Sequence, residues 1–123
     1  MRYLTARKRA EGKGASHTGT EHHWHMQVSA VALAFLIPTL VIILGRAIGQ
    51  DQATVQATFA RPFPAILAGL TLLVSMMHFK NGARMMIEDY WHGSLRKGLI
   101  MLVIGLSYTI TATGLFALAK MAL

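Results

Sequence analysis

The sequence predicts an all-α integral membrane protein with three transmembrane helices. Three observations carry this. Hydrophobic residues make up 54% of the 123-residue chain and charged residues only 14%, where a soluble domain carries about 25% charged residues. The apolar residues gather into three segments, about 26–48, 63–87 and 98–118, each with the ~20 residues that cross a ~30 Å hydrocarbon core as a helix. The basic residues are unevenly divided among the connections, as the positive-inside rule requires of a multi-pass chain. The chain thus divides into a polar basic N-terminal segment, 1–22, and a three-helix transmembrane domain, 23–123.

The N-terminal segment holds Arg2, Arg7, Lys8, Arg9 and Lys13, much of the net charge of +7. Such a tail attracts phosphate in general. Beside hydrophobic spans it reads as a cytoplasmic flank against lipid, and no nucleic acid partner is expected. "RKRAEGKGASHTGTEHH" is glycine-rich and charged, which favours mobility. The first apolar run is too long and too poorly flanked for a cleaved signal peptide. His17, His22, His23 and His25 precede the first span. With no cysteine and only Glu21 nearby, they fit an interfacial lip around Trp24 better than a zinc site. The absence of cysteine also excludes disulfides, iron–sulfur ligation and thiolate metal sites in this chain.

In the first span Pro38 predicts a kink, its freed carbonyl to be served by Thr39 or a neighbouring helix. Pro62 and Pro64 suit the first turn of the second span. In the third, Ser107, Thr111 and Gly114 form a small, weakly polar stripe of the kind that packs membrane helices together. Arg96 and Lys97 lie in the connection Glu88 to Lys97, with Lys80 and Arg84 just before it; the connection from about Gly49 to Arg61 has Arg61, with Arg46 at its edge. The N-terminus and "EDYWHGSLRK" are therefore placed in the cytoplasm, the first connection and the C-terminus outside.

The chemistry gathers in "HFKNGARMMIEDYWHG", 78–93. Ser75, His78, Gly82, Met85 and Asp89 recur at helical spacing and share one face. His78 lies roughly 16 Å along the axis from Asp89, with Tyr90 about 120° around from that face. An ionisable group within a span points to function by default. A neutral imidazole bonded to a neighbouring helix is the plainer reading of His78. Haem ligation is the sharper one, with Gly82 one turn away admitting a flat macrocycle. Zinc lacks a second ligand three or four residues from His78. Lys80 and Arg84 point away from the His78 stripe. They either snorkel to the interface or pair with haem propionates or a partner chain. Asp89 and Tyr90 read as an interfacial helix end, or as a phenol for a quinone carbonyl beside a tuning carboxylate. Trp91 reads as an interfacial anchor and His92 as a solvated residue.

His78 followed at eleven and twelve residues by Asp89 and Tyr90, together with "TEHHWHMQVSAVAL" leading into the first span, resembles the small haem b anchor subunits of succinate dehydrogenase, respiratory complex II. The resemblance covers most of the chain from Thr20 onward. It implies a second three-helix anchor, the larger cytochrome b chain of the complex, packed against this one. It also implies the flavoprotein and iron–sulfur subunits of the enzyme, with a trimer of such heterotetramers as a candidate assembly. His78 would be one axial ligand of haem b, its counterpart coming from the partner anchor. Tyr90 would bond a ubiquinone carbonyl beside Asp89, and Lys80 and Arg84 are candidate propionate contacts. The setting implied is the bacterial inner membrane, with quinone reduced at the cytoplasmic side, and the isolated chain is not expected to be catalytic. The alternatives are the anchor of a related fumarate reductase using menaquinone, and a non-redox assembly or transport subunit. One departure stands out: many relatives of this type carry an arginine just after the His/Trp-rich approach, where this chain reads Met26-Gln27. A propionate or quinone-pocket contact at that point is thereby put in question.

Overall fold

A computed structural model describes residues 5–12 and 19–123. Arg2, Lys13 and His17 lie outside the described residues. The described chain is helical, in the order α1 (Ala6–Glu11), α2 (Gly19–Ala47), α3 (Gln52–Phe59), α4 (Pro62–Tyr90) and α5 (Gly93–Ala122). Three of these, α2, α4 and α5, are long and apolar enough to cross a membrane.

Each long helix outruns the apolar segment that predicts it. At 1.5 Å per residue, the 29 residues of α4 extend roughly 44 Å, well beyond a ~30 Å hydrocarbon core. Hydropathy marks only the hydrocarbon-facing part, while the helix continues through its polar flanks. α2 starts at Gly19, so His22, His23 and His25 occupy its opening turns. In the tail, α1 is short and locally stabilised. Thr5 Oγ1 accepts from Lys8 N–H at 3.3 Å, Arg7 pairs with Glu11 at 2.9 Å, and Gly12 ends the turn at φ 60°.

Pro38 lies inside α2. The carbonyl it leaves without a helical donor is that of Ala34, four residues back. Thr39 does not serve it: its hydroxyl donates to the Phe35 carbonyl at 2.7 Å. The first connection is not plain loop. Gly49, at φ 82°, turns the chain after α2; Asp51 opens α3 in extended backbone, and Phe59 is buried at its end. Pro62 then takes the first position of α4 as expected. Only Trp91 and His92 separate α4 from α5, and Gly93 makes the reversal at φ 63°.

The packing is an open layer with α4 in the middle. α4 packs on α2 along one side and on α5 along the other, while α2 and α5 do not pack together. α3 lies against all three at one end. The α4–α5 seam uses the predicted small-residue stripe. Ser107 is only 2% exposed, and a Cβ at Gly114 would overlap Leu72 Cδ2. Ser107 and Thr71, the buried polar residues among those described, each donate to a carbonyl one turn back in their own helix, Val103 and Leu67, at 2.7 Å. A hydroxyl satisfied in this way can be buried without a cross-helix partner. The large apolar side chains mostly face outward, from Val31 and Phe35 to Ile66, Met101 and Phe116. In lipid, small residues bring backbones together and apolar ones meet the solvent.

Candidate functional site

His78 sits near the middle of α4, about 24 Å along the axis from Pro62 and about 18 Å from Tyr90. Its side chain turns toward α2, where Nδ1 lies 2.8 Å from Ser29 Oγ. Ser29 in turn donates to the Met26 carbonyl at 3.0 Å. Among the described residues the ring has no other hydrogen-bond partner. The structure therefore contains the cross-helix bond of the plainer reading, and it engages one ring nitrogen. Gly82, one turn further along α4, lies against α2 as well: a Cβ there would meet Met26 Cε at 3.6 Å, an ordinary contact.

Beside His78, α2 and α4 form a partly open groove of about 340 Å³, lined by His25, Val28, Ser29, Val74, Met77 and Asn81 among others. Val74 and Asn81 lie one turn either side of His78 on α4. The groove is chiefly apolar, with an imidazole and a carboxamide among its walls. Neither Ser29 nor Asn81 stands out in the sequence. A serine in an apolar run carries no signal until the helix facing it is known.

The helical phase holds, and the stripe changes environment along its length. Ser75, His78 and Gly82 are half-buried, whereas Met85 and Asp89 are exposed. Tyr90 is 75% exposed, and its ring meets Trp91 edge-on at 6.2 Å. His78 and the Asp89–Tyr90 pair thus share a helix but not a pocket within this chain.

Lys80 and Arg84 face elsewhere. Lys80 lies in the α4–α5 groove with Tyr108, its Nζ donating to the phenol oxygen at 3.3 Å and standing 5.0 Å from the ring centroid. Lys80 is thus held by a neighbouring helix, an arrangement that the snorkelling picture does not require. Arg84 Nε pairs with Glu88 Oε1 at 2.8 Å, one turn along α4. His22, His23 and His25 are exposed on α2. Among the described residues, no group of three His, Cys, Asp or Glu side chains is placed to hold a metal ion.

Comparison with known proteins bears on the chain as a whole. Residues 1–113 match the model of the succinate dehydrogenase/fumarate reductase transmembrane subunit family. The chain is 48% identical over its full length to the succinate dehydrogenase hydrophobic membrane anchor subunit of Paracoccus denitrificans, covering 95% of that protein. The proteins of the same description from Rickettsia prowazekii and Rickettsia typhi are 31% and 30% identical over 97 residues, 77% of each chain. No solved structure gives a significant match.

Proposed function

This chain belongs to the succinate dehydrogenase/fumarate reductase transmembrane subunit family, and from that premise we propose that it anchors a succinate dehydrogenase in the bacterial inner membrane and shares in binding haem b and ubiquinone. The names of all three relatives favour succinate dehydrogenase within the family, and the match stands against a non-redox assembly or transport role. The chain is a multi-pass membrane protein by its three apolar helices. Its catalytic role is as part of the complex, beside a flavoprotein, an iron–sulfur protein and a second anchor.

The observation that carries the haem reading is the state of His78. A ligand imidazole must be neutral and keep one ring nitrogen unshared. His78 lies near the middle of a long apolar helix, is bonded through Nδ1 only, and its partner Ser29 and its helix neighbours Val74, Met77 and Asn81 line a chiefly apolar groove. These features fit an imidazole that would hold haem b together with a residue of the partner anchor. Haem b, when bound, supplies a one-electron centre within the membrane. The residues of this chain that would hold it are His78, which would offer Nε2, and the apolar walls Val28, Val74 and Met77, which would exclude water. Lys80 and Arg84 are the candidate propionate contacts on α4. To serve, each would leave its present partner, Tyr108 or Glu88.

Tyr90 would donate its phenol O–H to a quinone carbonyl, and Asp89 beside it would tune the phenol or relay a proton toward the carbonyl as it becomes a hydroxyl. Two electrons and two protons complete reduction to quinol. The exposure of Tyr90 supports a pocket whose remaining walls come from partner chains. The bias of basic residues toward the tail and the turn after Tyr90 supports placing this end in the cytoplasm.

The test is the optical spectrum of the complex purified through this chain. Wild type is expected to show a reduced haem b band and His78→Ala to lose it. A complex that reduces quinone without any haem b band would sink the ligand assignment.

A further inference from the structure

We propose that Ser29 is the positioning residue for His78: it fixes the imidazole as the Nδ1–H tautomer, so that the Nε2 lone pair is the one left for iron. The inference rests on the reading of His78 as a haem ligand and goes beyond it to a residue on a different helix. Ser29 Oγ stands 2.8 Å from His78 Nδ1 and 3.0 Å from the Met26 carbonyl oxygen. A hydroxyl has one proton to donate, and a carbonyl can only accept. If Ser29 gave its proton to Nδ1, its oxygen and the Met26 oxygen would face each other as two acceptors at 3.0 Å. If Ser29 gives its proton to Met26, its lone pair meets an N–H on Nδ1 and both contacts are satisfied. Only the second arrangement leaves no polar conflict in this half-buried contact, and such conflicts cost more the less water reaches them. A neutral imidazole has one N–H. With that proton on Nδ1, Nε2 is bare.

The same bond fixes the ring's direction. His78 is on α4 and Ser29 on α2, so the ring plane is tied to the packing of two helices rather than to the torsions of its own side chain. A ligating histidine commonly donates its other N–H to a fixed acceptor, which orients the ring and raises its basicity. Here the acceptor is a hydroxyl whose own proton is committed to a backbone carbonyl. The resulting chain, from imidazole to hydroxyl to carbonyl, pushes electron density toward the ring and favours ferric over ferrous iron.

The experiment uses the whole complex, with Ser29→Ala, Ser29→Thr and Ser29→Cys compared by redox titration of the haem b band and low-temperature spin-resonance spectra. Outer partners of this kind are typically worth 10–100-fold. A tenfold loss of ferric preference raises a one-electron midpoint by about 59 mV. Ser29→Ala is expected to raise the midpoint by about that amount, shift the low-spin ferric g-values, and shed haem on the order of tenfold more readily. Ser29→Thr keeps the hydroxyl and is expected to restore wild-type values. Ser29→Cys offers a weak acceptor and should lie between, and it decides the matter should Ser29→Ala fail to assemble. A midpoint and g-values unchanged in Ser29→Ala, or in Ser29→Cys where alanine does not assemble, overturn the role of Ser29 while leaving His78 as ligand. Retention of the full haem spectrum by His78→Ala overturns the ligand reading itself.

Discussion

Gly114 and Leu72 allow a prediction whose size follows from the packing. A Cβ at Gly114 would overlap Leu72 Cδ2, so Gly114→Ala forces one of two responses. Leu72 can leave its rotamer at about 0.5–1.5 kcal/mol, or α4 and α5 can part and lose dispersion contacts along the seam. Because the obstruction is the end of a side chain rather than backbone, the cost should fall in the lower part of the ~1–3 kcal/mol usual for overpacking, near 1–2 kcal/mol. Leu72→Ala alone opens a space over Gly114 and destabilises by its own cavity cost. In the double variant the new methyl group occupies part of that space. Gly114→Ala should then cost nothing, giving a coupling of about 1–2 kcal/mol, within the range for residues in contact. Unfolding of the assembled complex in mild detergent by added dodecyl sulfate, followed by circular dichroism for all four forms, measures it. Equal costs for Gly114→Ala on the two backgrounds would mean that Leu72 does not stand over Gly114, and the account of the seam would be wrong.

Other substitutions test other parts of the chain. Tyr90→Phe should leave haem b and assembly intact and slow quinone reduction roughly 3- to 10-fold, the worth of one hydrogen bond; steady-state succinate:quinone activity at unchanged rates would remove the phenol from the site. Gly93→Ala places a side chain at φ 63° and should lower stability by about 1–2 kcal/mol, with Gly93→Asn less costly, read by the same unfolding measurement. Lys80→Leu should favour membrane insertion of the second span by up to roughly 3–4 kcal/mol, the difference at a helix centre, scored by glycosylation tagging on either side; no change would mean that Lys80 is not at hydrocarbon depth. Tyr108→Phe removes the acceptor for Lys80 and keeps the ring face. It should therefore cost less than Tyr108→Leu in complex stability, and equal losses would show that the ring contributes nothing.

Much of the fold is legible in the sequence because hydrocarbon imposes a simple rule. The length of each apolar run, Pro62 at a helix start and the stripe of Ser107, Thr111 and Gly114 all follow from it. The His78 face can be read too, since phase along one helix depends on residue spacing alone. What escapes the sequence is pairing between helices. Ser29 opposite His78 and Tyr108 opposite Lys80 depend on which faces meet, and nothing local in α2 or α5 announces them. Helix ends escape for a different reason: at Gly19, Tyr90 and Gly93 the helices run on into polar flanks that hydropathy does not count. α3 is short and of mixed polarity, held by Phe59 against its neighbours rather than by its own pattern. Pro38 invited a local remedy from Thr39, but a threonine hydroxyl in a helix reaches most readily for its own preceding turn, and Phe35 lies there.

The two-residue turn at Trp91 and His92 has a consequence for the polar groups of α4. With so little chain between them, α4 and α5 form a helical hairpin and lie side by side. α4 is the least apolar of the three long helices and carries an imidazole and an ammonium near its midpoint. Each meets a polar group on a flanking helix, the lysine at Tyr108 of α5 and the histidine at Ser29 of α2. The least hydrophobic span is thus the one with a long helix on either side.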